Sequence, residues 1–120
     1  QFAESKPILG VCLGCQALGL HFGADLYNLE SVRHGVQTPI KLVDHSYLYR
    51  GLGEYIEVGR YHSWALKLKE SNNLIPTAFD NNGILMSFKH KNLPIFGIQY
   101  HPESIMTSDG KEIIKNWINS

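Results

Sequence analysis

The chain has 120 residues, 43% of them apolar and 18% charged, with 11 basic and 11 acidic side chains and no net charge. That length supports one modest core and not two. Balanced, scattered charge argues against nucleic acid or an anionic membrane as partner, and no apolar run approaches the roughly 18 residues a bilayer span needs.

Gln1–Lys6 lacks the basic-then-apolar order of a signal peptide. Cys12 and Cys15 do not make a secreted disulfide scaffold, and free thiols fit a reducing cytosol, so a cytoplasmic location is expected. No methionine opens the chain, and its first strongly apolar segment already carries a thiol. The chain therefore reads as a piece of a longer protein.

In chain order, residues 7–12 read as an apolar strand buried on both faces, as in a parallel sheet. A helix follows from Cys15 to Phe22, with Cys15, Leu18 and Phe22 on one face and Gly23 as its C-terminal cap. Beyond it the pattern is broken: Ala24–Leu29, Val36–Val43 and Tyr55–Val58 alternate weakly as strands, with a helical turn over Tyr47–Gly51. The polar and aromatic stretch Gly59–Trp64 reads as a loop. Leu74–Phe79 and Ile84–Phe88 form a hairpin about Asp80-Asn81-Asn82-Gly83, where Asn-Gly is a strong turn signal. Pro94 introduces a second buried strand, Ile95–Tyr100. The last helix starts near Asp109, expected to cap it with Glu112 three residues on, and packs through Ile113, Ile114, Trp117 and Ile118. With no repeat, linker or low-complexity tract, residues 1–120 make a single α/β domain.

Two constellations carry chemistry. Gly10-Val11-Cys12-Leu13-Gly14 has the shape of a nucleophile elbow, in which a buried strand turns sharply into a helix and lifts a reactive side chain out of the turn. The helix N-terminus then favours thiolate over thiol. His101-Pro102-Glu103 supplies a base and a carboxylate to orient it. Both follow apolar strands, Ile8–Val11 and Ile95–Ile98, and two parallel strands would present Cys12 and His101 at one sheet edge, where α/β sites lie.

Three segments in this order, Gly10–Gln16, Gly59–Trp64 and Gln99–Thr107, resemble the class I (triad) glutamine amidotransferases over nearly the whole chain. The nearest resemblance is to the glutaminase component of anthranilate synthase and aminodeoxychorismate synthase, with His34–Pro39 similar to the segment before that family's small antiparallel insertion. The resemblance implies a flavodoxin-like sheet with helices on both faces, the first strands of the family lying before Gln1. The chain would then be the C-terminal two-thirds of the family domain. It also implies Cys12 as nucleophile, His101 as base and Glu103 as its orienter. Leu13 would give one oxyanion-hole N–H. Gln16, Ser63 and Trp64 would bind L-glutamine, the last two through the backbone. No metal or organic cofactor is implied, and the ammonia would pass to a chorismate-using synthase subunit. Cys15 and Trp64 depart from the family's usual histidine and aliphatic residue. The loop that gives the second oxyanion donor in the family has no counterpart here, so the parent protein is expected to be active and this piece weak.

Rival readings stay open. Cys12-x-x-Cys15 has the spacing of a redox pair or half a zinc site, with His62 and His101 as further ligands. A docking subunit without activity is the third reading. His21, His34, His45 and His90 read as surface or turn residues, Trp117 as core, and Arg60 as a solvated charge.

Overall fold

The computed structural model describes residues 7–69 and 73–119, with the side chains of residues 30–36 and Ser63 outside that description. The run Ile8–Val11 forms strand β1 and pairs in parallel with β6 (Ile95–Ile98), Ile8 opposite Ile95 and Val11 opposite Ile98. Between them lie helix α1 (Leu13–His21), β2 (Asp25–Leu42), a 3-10 turn (Tyr47–Tyr49), β3 (Tyr55–Lys67), β4 (Leu74–Asp80) and β5 (Leu85–His90); α2 (Gly110–Ile118) follows β6. The strands make one sheet in the order β1-β6-β5-β4-β2-β3, with the remaining described pairings antiparallel. The reading of Gln1–Lys6 falls outside the described residues.

Alternation along β6 explains why a helix sits on each face. Phe96 and Ile98 join a core cluster that includes Ile113 and Trp117 of α2, while Gly97 between them meets Cys15 of α1. Cys15, Leu18 and Phe22 belong to a second cluster with Leu66, Leu85 and Phe88. The layering is the expected α/β one, with a larger antiparallel share than a doubly wound sheet carries. Strand β1 departs from expectation. It stands at the sheet edge, so Ile8, Leu9 and Val11 are half-buried rather than covered on both faces.

Two of the sequence readings change between residues 24 and 67. The separate strands at 24–29 and 36–43 are one strand, β2, which shifts register against β3 between Asn28 and Arg33 and again between His34 and Val36. Each shift adds residues to β2 and resets the alternation, which is why the pattern looks broken. His34 therefore lies in a strand, not a loop. Gly59–Trp64 is also strand, the middle of β3. Ile56, Val58, Arg60 and His62 all point inward on it, so Arg60 is no solvated charge: it is 1% exposed. The reading of a loop hid this register.

The β4–β5 hairpin closes as expected, with Gly83 at φ 79° and its N–H bonded to the Asp80 carbonyl. Gly23, at φ 88°, ends α1 as predicted. In α2, Asp109 holds the N-cap position without a side-chain cap bond, because its ψ of 20° is not the extended geometry that aims a capping carboxylate. Ile118 is exposed. Its expected inner place goes to Asn116, whose amide donates to the carbonyls of Leu48 and Arg50 and ties α2 to the 3-10 turn.

Candidate active site

At the end of β1 the chain reverses within one residue. Cys12 adopts φ 55° and ψ −106°, a conformation an L-residue rarely takes, and its N–H bonds to the Ile98 carbonyl at 2.8 Å. That bond stitches the elbow to β6. Gly10 makes the close turn possible, since a Cβ there would stand 2.6 Å from Leu18 Cδ1 and 2.7 Å from the Gly14 carbonyl oxygen. Gly14, by contrast, has open space where its Cβ would be, so the close packing at the elbow rests on Gly10. Leu13 turns its side chain to solvent, 76% exposed, and its backbone N–H toward the thiol.

β6 runs on through Gln99 and Tyr100 to His101. There the backbone leaves the sheet but stays tied to β3, with the His101 N–H on the Gly59 carbonyl. Gly59 admits this approach because a Cβ would meet Ser104 Oγ at 2.8 Å. Buried Thr107 clamps the junction: its hydroxyl accepts from the Gly59 N–H at 2.9 Å and donates to the His101 carbonyl at 2.7 Å. Thr107→Val keeps the shape and removes both bonds. It is expected to cost about 2 kcal/mol in urea unfolding, the scale for stranding buried polar groups; a loss under about 0.5 kcal/mol would show the clamp to be incidental.

These elements bring the candidate residues together. Cys12, Leu13, Gln16, Trp64 and His101 line one cavity of about 400 Å³ with Val11, Tyr61 and His62. His101 Nδ1 lies 2.7 Å from Glu103 Oε2, and the Tyr61 ring meets the imidazole edge-on at 5.1 Å. Glu103 itself sits at the mouth, exposed. Ser63 contributes backbone within β3, while its side chain falls outside the described residues.

At the sulfur the net effect favours the thiol, not the thiolate that the helix N-terminus was expected to favour, because burial outweighs the donors. Burial pushes the Cys12 thiol up and the Glu103 charge adds to that, while the Leu13 N–H and the Gln99 amide pull it down. At Glu103 burial works upward, but a backbone hydrogen bond and His101 outweigh it and hold the carboxylate below its ordinary range.

The rival readings meet other geometry. Cys15 is buried against Gly97 and burial pushes its thiol up, away from the thiolate that redox or zinc chemistry needs. Both nitrogens of His62 are engaged, Nε2 with Arg60 and Nδ1 with the Trp64 carbonyl. Among the described residues no three His, Cys, Asp or Glu side chains are placed to hold a metal ion. The other histidines stay in minor places. His45 Nε2 bonds to the Gly53 carbonyl, His90 Nδ1 accepts from two loop N–H groups, and His21 is exposed.

Three residues take places here that the sequence reading did not assign: His62 stood in it only as a further zinc ligand, and Gln99 and Tyr61 only within the resembling segments. Gln99 points its amide nitrogen at Cys12 Sγ, 3.7 Å away; Tyr61 and His62 wall the cavity. Gln99 opened the third resembling segment without a role of its own, and the signal that could have found one is its polarity at a position that otherwise faces α1 and the elbow.

The family model described as class I glutamine amidotransferase matches residues 1–120. Anthranilate synthase component II of Haloarcula marismortui is 44% identical, the match covering 97% of this chain and 63% of that protein. Aminodeoxychorismate/anthranilate synthase component 2 of Bacillus subtilis is 40% identical, covering 99% and 61% respectively. The crystal structure of a candidate GMP synthase protein from Thermoplasma acidophilum superposes with a TM-score of 0.87 at 31% identity, covering 94% of this chain and 56% of that one. The chain thus spans less than two-thirds of the length of the curated relatives it matches.

Proposed function

This chain belongs to the class I glutamine amidotransferases, and on that premise we propose that its protein hydrolyses L-glutamine to glutamate and ammonia through a thioester on Cys12. The observation that carries the reading is the single cavity holding a strained Cys12 and a His101 bonded to Glu103. His101 takes the thiol proton as sulfur attacks the side-chain amide carbon, and returns it to the departing ammonia. Water then adds to the thioester, again with His101 as base, and releases glutamate and the thiol. Glu103 keeps the imidazole proton on Nδ1 so that the other nitrogen faces the chemistry. The Leu13 N–H serves the oxyanion, a contribution of roughly 3 kcal/mol for one such donor in a protease. Leu13, Gln16, Ser63 and Trp64 wall the glutamine site, and no step requires a metal or organic cofactor.

The ammonia is destined for a chorismate-using synthase subunit, a reading supported by two relatives named as second components of anthranilate and aminodeoxychorismate synthases. Anthranilate is the leading product. Aminodeoxychorismate is the second reading, because the B. subtilis relative carries both names. A diazoketone analogue of glutamine tests the core of the proposal. Labelling is expected at Cys12 alone and to be blocked by excess glutamine. Labelling elsewhere, or indifferent to glutamine, would refute it.

A further inference from the structure

From Asp80 to the Cys12 sulfur runs a chain of buried and part-buried hydrogen bonds in which each link fixes the next. Asp80 Oδ2 holds Arg60 Nη1 at 2.7 Å. A guanidinium only donates, so Arg60 Nε, 3.0 Å from His62 Nε2, forces that nitrogen to accept. The imidazole proton then resides on Nδ1 and goes to the Trp64 carbonyl at 2.9 Å. A carbonyl only accepts, so the Gln16 atom 3.1 Å from that same oxygen is the amide nitrogen. Gln16 therefore presents its second N–H to Gln99, which must offer Oε1, at 3.1 Å. One end of the Gln99 amide is now set. The other end, Nε2, is left facing Cys12 Sγ at 3.7 Å.

We propose that Gln99 is a catalytic residue whose amide N–H stabilises the Cys12 thiolate, and that Gln16, His62, Arg60 and Asp80 are positioning residues that hold that N–H toward the sulfur. It rests on Cys12 being the nucleophile, but its test follows the sulfur and needs no glutamine turnover. Gln99 suits the role because it is 2% exposed and water does not compete for its amide. The other titratable groups around the sulfur are Cys15 on α1, Tyr61 and His62 on β3, and His101 and Glu103 beyond β6. None of them changes identity in the variants below.

The measurement is the pH dependence of Cys12 alkylation by iodoacetamide, read by mass spectrometry on the Cys12-bearing peptide so that buried Cys15 does not contribute. Gln99→Met removes the donor at nearly constant volume and is expected to raise the midpoint by about one pH unit, the scale of a hydrogen bond to a charged group. The alkaline plateau should stay within about threefold of the parent, since a more basic thiolate is also the better nucleophile. Gln16→Met leaves the donor but frees its amide to turn, and should raise the midpoint by less. A folded Gln99→Met variant with an unmoved midpoint overturns the proposal. Should that variant not fold, as judged by near-ultraviolet circular dichroism, an unmoved midpoint in Gln16→Met overturns it instead.

Discussion

Replacing Cys12 by glycine is expected to end glutamine turnover and, in the same protein, to raise the melting temperature. The backbone at this residue, φ 55° and ψ −106°, matches the first central position of a type II′ turn, which glycine dominates. Strain of this kind costs on the order of 1–3 kcal/mol, and glycine relieves it while losing about 0.5–1 kcal/mol through its freer unfolded chain. The net gain should be about 1 kcal/mol, or about 4 °C for a domain of this size. Cys12→Ser keeps the Cβ and the strain, so it should melt with the parent. Both variants lose the sulfur and should drop glutamate release by about 10⁴-fold or more. A glycine variant that melts no higher than the serine variant would show the elbow to be relaxed. Residual glutamate release near the parental rate would remove Cys12 from the mechanism.

The elbow was legible in the sequence because its causes are local. An apolar strand, a thiol and flanking glycines sit within a few residues, and the same holds for Ile95–His101. Their meeting was legible too, since two buried runs each ending in a reactive side chain become adjacent when the strands pair in parallel, Val11 opposite Ile98. Arg60 shows where such reasoning stops. Its inward direction follows from the period-two register begun by Ile56 and Val58, but Gly59 and the polar residues after it mask that register as a loop. Its partner Asp80, 20 positions on, was assigned to a turn for good reason, since Oδ1 does accept the N–H groups of Asn82 and Ile84. Nothing local says that the other oxygen reaches across β2 to a buried cation. Gln99 is similar: its meaning depends on Gln16 and Cys12, which lie 83 and 87 positions away. Local chemistry survives in the sequence, whereas polar chains that cross the sheet appear only once the strands are in register.

Asp80→Ala should be the most destabilising single change at an ionisable residue, and it acts far from the sulfur. Arg60 and Asp80 are 2.7 Å apart with side chains 1% and 2% exposed, so losing the carboxylate leaves a guanidinium charge buried beside an empty space. Stranding one member of such a pair costs about 3–5 kcal/mol, and the two turn N–H groups lose their acceptor as well. Against a total stability on the order of 5–15 kcal/mol, that is enough to leave the variant marginally folded at room temperature. Asp80→Asn keeps an oxygen for the turn but not the charge, and should retain most of the loss. Adding Arg60→Met to Asp80→Ala removes the buried guanidinium charge as well, so the double variant should recover a large part of the stability in urea unfolding. It should not recover the normal alkylation profile of Cys12, because His62 no longer has the donor that sets its tautomer. Asp80→Ala unfolding within about 1 kcal/mol of the parent would mean that water or another group already compensates Arg60. A double variant no more stable than Asp80→Ala would place the loss in the turn rather than the ion pair.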